Sequence, residues 1–157
     1  MSNKYSNWVL KTPKGSDDRY TPKWIFDKLG LHFDIDVAAP IGGAVNVPCN
    51  KHFDIETNGL ESHWHGLVWC NPPYSNPTPW MLKFRNHGNG VALIPTSNGK
   101  WFHDLYHDPS IIMRPIPKMR FELPDGTTMK GTTPFVCWLV GVGKIGRTAV
   151  SLVEFPQ

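Results

Sequence analysis

Asn71, Pro72, Pro73 and Tyr74 follow an apolar run, residues 66–70 (GLVWC), that reads as a buried strand. The carboxamide oxygen of Asn71 accepts hydrogen bonds, and so does the carbonyl of Pro72. An amine conjugated to an aromatic ring is a poor nucleophile, because its lone pair is delocalised into the ring. One hydrogen held by each acceptor draws such a nitrogen towards tetrahedral geometry and frees the lone pair to attack a methyl carbon. Neither proline has an N–H and each fixes its own φ. The turn is therefore stiff, and stiff acceptors need little reorganisation as charge develops. Tyr74 offers a flat face on which an extruded base can stack. For four residues alone, the plain alternative is a proline-rich turn after a strand.

The chain around this turn has 157 residues, enough for one domain with a real core. Its 40% apolar and 18% charged residues describe an ordinary soluble globule. No apolar run approaches a membrane span, and the first residues lack the apolar core of a signal peptide. Cys49, Cys70 and Cys137 are few and odd in number, which favours a reduced, cytoplasmic setting over a disulfide framework. Cys49, His52, His63, His65 and Cys70 match no structural zinc spacing, so no metal is expected. The net charge of +3 is unevenly spread: seven basic against eight acidic residues up to Leu82, then nine against five. The basic second half carries Lys100, Arg114, Lys118, Arg120 and Lys130, and nucleic acid is its natural partner. Solvated surface charge is the bland alternative.

The elements that must position the turn follow from the pattern. Residues 1–19 are polar and read as an arm, and residues 20–157 read as a single domain. Thr21 and Pro22 look like the N-cap and first position of a helix that Gly30 ends. Residues 31–39 alternate as a strand. Residues 66–70, 90–95 and 111–114 read as further strands, with helices over 79–86 and 98–107. Trp101, Phe102, Leu105 and Tyr106 keep helical spacing and are expected in the core. A hairpin is expected around Asp125-Gly126. Residues 135–140 and 148–155 read as two closing strands, paired antiparallel because their connection is short. The expected class is α/β, a mostly parallel sheet with an antiparallel C-terminal pair and helices on both faces. In such sheets ligands bind at the carboxyl ends of strands near a topological switch point. Asp36-Val37-Ala38-Ala39 and Asn71-Pro72-Pro73-Tyr74 both lie at expected strand ends.

An ordered series of short blocks resembles the phage-type Dam family of DNA adenine methyltransferases. It comprises Tyr20-Thr21-Pro22-Lys23-Trp24, Phe33-Asp34-Ile35-Asp36-Val37-Ala38-Ala39, Asn58-Gly59-Leu60, Val68 through Ser75 with the Asn-Pro-Pro-Tyr turn, Trp101-Phe102-His103, Arg120-Phe121 and Pro134-Phe135. The resemblance implies a Rossmann-like sheet, S-adenosylmethionine as cofactor, and double-stranded DNA as partner, with the target adenine flipped out of the stack.

It also implies roles. Asn71 and the Pro72 carbonyl would hold the adenine amine, with Pro73 stiffening the turn and Tyr74 stacking on the base. Tyr20, Thr21, Pro22, Ala38, Ala39 and Asn71 would line the cofactor pocket, and Asp36 would face the cofactor's methionine amino group. Asp54 would accept from ribose hydroxyls, as acids do in other Rossmann-like sites. Asn58 stands where the family usually carries Asp and would accept from the cofactor's adenine amine. Lys100, Arg114, Lys118, Arg120 and Lys130 would grip phosphates. The expected protein is a monomer or weak dimer in the cytoplasm, that of the host cell if phage-encoded. The same four residues would serve methylation of RNA or of a protein amide, and a catalytically silent nucleic-acid-binding module is the reading from a different class.

Overall fold

The computed structural model describes residues 20–117, 119–123, 127–131, 133 and 135–155. The expected N-terminal arm, Lys118, Pro134 and the hairpin tip at Asp125-Gly126 lie outside the described residues. The elements are α1 (Lys23–Leu29), β1 (Phe33–Asp36), β2 (Cys49–His52), β3 (Val68–Cys70), α2 (Thr78–His87), β4 (Gly90–Pro95), α3 (Lys100–Tyr106), β5 (Ile112–Ile116), β6 (Cys137–Val142) and α4 (Gly143–Leu152). No helix among them is long and apolar enough to cross a membrane.

The strands form one mixed sheet in the order β2-β1-β3-β4-β6-β5. β2, β1, β3 and β4 pair in parallel, and β6 is antiparallel to both β4 and β5. From β1 the chain moves outward to β2, whereas from β3 it moves the opposite way to β4. The order therefore reverses between β1 and β3, and their carboxyl ends flank the crevice where such sheets bind ligands. β1 ends at Asp36 and β3 ends at Cys70, one residue before Asn71.

Apolar side chains cover both faces. Ile25, Phe26 and Leu29 of α1, with Val150 of α4, pack on one face against Trp69, Val91, Leu93 and Leu139. Trp80, Met81 and Phe84 of α2, with Phe102 and Leu105 of α3, pack on the other against Val68, Cys70, Ala92, Ile94 and Val140. Phe26 and Trp69 meet edge to face with ring centroids 4.7 Å apart, which seats α1 over the middle of the sheet.

Three expectations are corrected. Residues 148–155 hold no strand: Gly143–Leu152 is α4, and the antiparallel partner of β6 at the sheet edge is β5. The glycines there mark close approach rather than a break. A Cβ on Gly146 would collide with the Gly90 carbonyl, and one on Gly141 with the Gly146 carbonyl, so small residues let α4 lie directly on the sheet. Thr21 is not an N-cap, because Pro22 takes that position without a side-chain cap, and the hydroxyl of Thr21 is engaged elsewhere. The strand expected over 31–39 is only Phe33–Asp36, since the chain turns at Val37 and Ala38.

Candidate active site

The turn at 71–74 leaves β3 at the centre of the sheet. Pro72 and Pro73 are buried and Asn71 is half-buried. The carbonyl of Pro73 accepts from the Asn76 N–H at 3.2 Å, which closes the turn. Among the described residues nothing donates to the Pro72 carbonyl or to Asn71 Oδ1. The Asn71 carboxamide nitrogen instead donates to Thr21 Oγ1 at 3.4 Å. With the amide nitrogen so placed, two adjacent acceptors are left for an incoming amine.

Tyr74 is half-buried, with its ring edge-on to Phe135 at 5.8 Å between centroids. Its hydroxyl points inward, 3.5 Å from the Leu93 carbonyl and close to the Cys137 thiol, and burial pushes its pKa up. The ring is thus held at its hydroxyl end by the sheet.

Asp36 is 2% exposed. Its Oδ1 accepts from the Ala38 N–H at 3.3 Å, and no cationic side chain pairs with it among the described residues. Burial pushes its pKa up to about 7 against the lowering effect of that N–H. Ala38 and Ala39 are buried beside it. The end of β2 is stitched to the same place: the Phe53 N–H donates to the Asp36 carbonyl at 2.8 Å, and the Ala39 N–H to the Phe53 carbonyl at 2.9 Å.

Asp54 follows at once. Its Oδ1 accepts from the N–H groups of Glu56 at 2.9 Å and Thr57 at 3.2 Å, and Oδ2 faces His52 at 3.7 Å. Asn58 then takes a left-handed conformation, φ 57°, which asparagine tolerates better than most residues. Its Oδ1 is buried and has no hydrogen-bond partner among the described residues. A Cβ on Gly59 would collide with the Val37 carbonyl, so glycine at that position lets the Asn58 segment press against the exit of β1. Lys83 fixes the segment from α2 by donating to the carbonyl of Leu60 at 2.8 Å.

The fold therefore gathers Thr21, Asp36, Asn58 and Asn71 from four separate stretches around the carboxyl ends of β1 and β3. A buried acceptor without a donor costs free energy. Asn58 Oδ1 and the Asp36 carboxyl are both acceptors suited to a ligand that brings an amino group and an ammonium.

The basic residues do not act as one set. Arg120 and Lys130 are exposed on the paired segments 119–123 and 127–131, which meet the active end of the sheet through the bridge between Tyr20 and Glu122. Lys100, exposed at the start of α3, pairs with Asp104 at 2.6 Å. Arg114 has a different place from the one expected. It sits within the edge strand β5, and its guanidinium donates to the carbonyls of Val150 and Val153 and lies 4.8 Å over the Phe155 ring. Those carbonyls at the end of α4 need a donor, so Arg114 closes a helix. A separate cleft of about 570 Å³, lined in part by Arg85, Asp108, Lys144 and Arg147, lies at the opposite end of the strands and touches none of the turn residues.

Asn46 and Glu122 were not visible as site residues in the sequence. Asn46 Nδ2 donates to the Thr21 carbonyl at 3.0 Å and to Glu122 Oε2 at 2.7 Å. No spacing rule links residues 76 positions apart.

Comparison with known proteins identifies the family. The chain is 32% identical over 103 residues to a DNA N-6-adenine-methyltransferase of Haemophilus phage HP1, covering 58% of each chain. It is 36% identical over 77 residues to a DNA N-6-adenine-methyltransferase of Escherichia phage T1, covering 45% of this chain and 31% of that one. The aligned stretch thus spans little more than half of the first relative and less than a third of the second. The family pattern described as Dam, DNA N-6-adenine-methyltransferase, matches residues 10–123, from before α1 through the Asn-Pro-Pro-Tyr turn to the 119–123 segment. The chain belongs to the Dam family.

Proposed function

We propose that this chain methylates the exocyclic amine of adenine in double-stranded DNA, with the target base flipped out of the duplex. The observation that carries the proposal is the pair of acceptors, Asn71 Oδ1 and the Pro72 carbonyl, unengaged among the described residues, at the carboxyl end of β3 beside the topological switch point. Family membership and the names of both relatives support the substrate class. The mixed sheet with its reversal of strand order supports a Rossmann-like methyltransferase fold.

S-adenosylmethionine, when bound, supplies an electrophilic methyl group on a sulfonium sulfur. The residues present fit it. Asp36 would pair with its ammonium, and Asn58 Oδ1, buried and unpaired among the described residues, would accept from its purine amine. Thr21, Pro22, Ala38 and Ala39, all buried, would line its pocket, and the half-buried Tyr20 and Asp54 would border it. Asn71 and Pro72 would each take one hydrogen of the adenine amine and free its lone pair. Tyr74 would hold the base plane against the turn. The nitrogen takes the methyl group and its surplus proton passes to solvent, so positioning replaces a general base. Arg120, Lys130 and Lys100 would meet phosphates, because all three are exposed at the active end.

The test is direct. Purified protein, S-adenosylmethionine carrying a labelled methyl group and duplex DNA are incubated, and the nucleosides are analysed by mass spectrometry. N6-methyladenine is the expected product. Label on cytosine, on RNA alone or on protein would contradict the assignment. A chain that binds DNA and transfers nothing would favour the silent binding module.

A further inference from the structure

We propose that Asn46 and Glu122 are positioning residues for Asn71. Acting through Thr21, they keep the Asn71 carboxamide turned so that its oxygen meets the substrate amine. The inference rests on the methyl-transfer function proposed above and extends it to residues outside the Asn-Pro-Pro-Tyr turn.

The hydrogen bonds run in sequence from one side of the site to the other. Glu122 is paired to Tyr20 through the backbone in both directions, at 2.8 and 2.9 Å. Its carboxylate then divides. Oε1 accepts from the Lys23 N–H at 3.1 Å, and Oε2 accepts from Asn46 Nδ2 at 2.7 Å. The same Asn46 nitrogen donates to the Thr21 carbonyl at 3.0 Å. Residues 20, 21 and 23 are thereby fixed by partners from two distant segments. Thr21 is 5% exposed, and a β-branched side chain has few rotamers once its backbone is set. Its hydroxyl lies 3.4 Å from Asn71 Nδ2.

The strengths are graded along this path. Bonds to a carboxylate are the strong ones, and they lie at the outer end. The bond that touches Asn71 is long, so its geometry depends on how firmly Thr21 is held. An asparagine amide rotated by half a turn would present its NH₂ group to the substrate amine, donor against donor, and attack would fail. Neither Asn46 nor Glu122 bonds to Asn71 itself. Their influence on transfer must pass through Thr21.

Glu122 also caps the start of α1 through the Lys23 N–H, and a capping role alone would show as lost stability with turnover unchanged. The variants Glu122→Gln and Asn46→Ala separate the two roles. The first keeps the shape of the side chain. The second leaves the Glu122 contacts with Tyr20 and Lys23 in place. Initial rates of N6-methyladenine formation, the KM for duplex DNA and the melting temperature are measured for each variant, alone and on a Thr21→Val background.

Each single variant is expected to lower kcat by about fivefold with KM changed by less than about twofold, since small misplacements of a positioned group are costly. On the Thr21→Val background the further loss should fall below about twofold, because residues that act through one contact are not additive. If the losses multiply, if only KM moves, or if a folded variant turns over at the wild-type rate, the positioning role is overturned. Should Glu122→Gln fail to fold, Asn46→Ala carries the same test. A wild-type chain that forms no N6-methyladenine overturns the methyl-transfer function and this inference together, whereas wild-type activity beside fully active variants overturns this inference alone.

Discussion

The carboxamide nitrogen of Asn71 lies 3.4 Å from the hydroxyl oxygen of Thr21, across 50 residues of sequence. On the proposed function, this contact decides which end of the amide would face the substrate. It joins the strand-end turn proposed to hold the amine to the segment that opens α1, and both belong to blocks that resemble the Dam family.

Thr21→Val keeps the shape of the side chain and removes its hydroxyl. A neutral hydrogen bond is worth about 1 kcal/mol, so kcat should fall roughly fivefold to tenfold with little change in melting temperature. Thr21→Ser should retain most activity. Steady-state kinetics of the three proteins checks this, and a Val variant as fast as wild type would detach Thr21 from the amide.

Asp36 gives a pH signature. Its folded pKa is raised from 3.8 to about 7 by burial, against the opposing effect of the Ala38 N–H. The folded chain then holds a proton that the unfolded chain has released. The stability this confers is complete below the unfolded value and is lost as pH rises through about 7. Burial, with the Asp36 charge adding to it, pushes the thiols of Cys49 and Cys70 up, so both stay neutral beside Asp36. Asp36→Asn should therefore raise the melting temperature of the ligand-free protein near pH 8 and leave it little changed near pH 4. An ammonium beside Asp36 favours the carboxylate, so S-adenosylmethionine should bind more tightly, and with proton release, as pH rises from about 6 to 8. Calorimetry in two buffers reads both effects. Affinity that is flat with pH in wild type, or equal in Asp36→Asn, would remove Asp36 from the cofactor site.

Asn58→Asp tests the buried unpaired acceptor. A second charge in the ligand-free pocket should lower the melting temperature, since a buried charge without a partner is unfavourable. The same change should tighten S-adenosylmethionine binding, because a charge-assisted hydrogen bond is stronger than a neutral one. Unchanged or weaker affinity by titration would place residue 58 outside the pocket.

The two kinds of basic residue should separate in DNA binding. Replacing Arg120 and Lys130 together by Gln should reduce the slope of log affinity against log salt by about two, one for each lost phosphate contact. Arg114→Gln should leave the slope unchanged and lower the melting temperature, because its guanidinium holds the end of α4. Binding measured over a salt series beside thermal melts distinguishes them, and the opposite pattern would exchange their roles.

What the sequence revealed and what it hid have the same physical origin. β4 is legible to the residue because Val91, Ala92, Leu93 and Ile94 are buried between neighbouring strands, with Gly90 and Pro95 at its limits. The run into Asn71 is legible at its carboxyl end, where β3 stops at Cys70, but the strand starts at Val68 rather than at the expected Gly66. β2, with the sequence Cys49-Asn50-Lys51-His52, lies at the sheet edge and carries no apolar alternation, so nothing marked it as a strand. α4 was obscured by Gly143 and Gly146, whose small size serves close packing, of Gly143 on Gly88 and of Gly146 on Gly90. Asn46 and Glu122 left no trace, because a side chain that bridges distant segments has no characteristic spacing.

The most direct test of the account is the single-turnover rate of N6-methyladenine formation by Asn71→Ala with saturating S-adenosylmethionine and duplex DNA. Asn71 ends no hydrogen-bonded strand and is only half-buried, so the variant should fold with a near wild-type melting temperature. Loss of one acceptor at the transition state should slow transfer by about a hundredfold or more. A folded Asn71→Ala protein that methylates adenine at close to the wild-type rate would contradict the claim that this carboxamide holds the reacting amine.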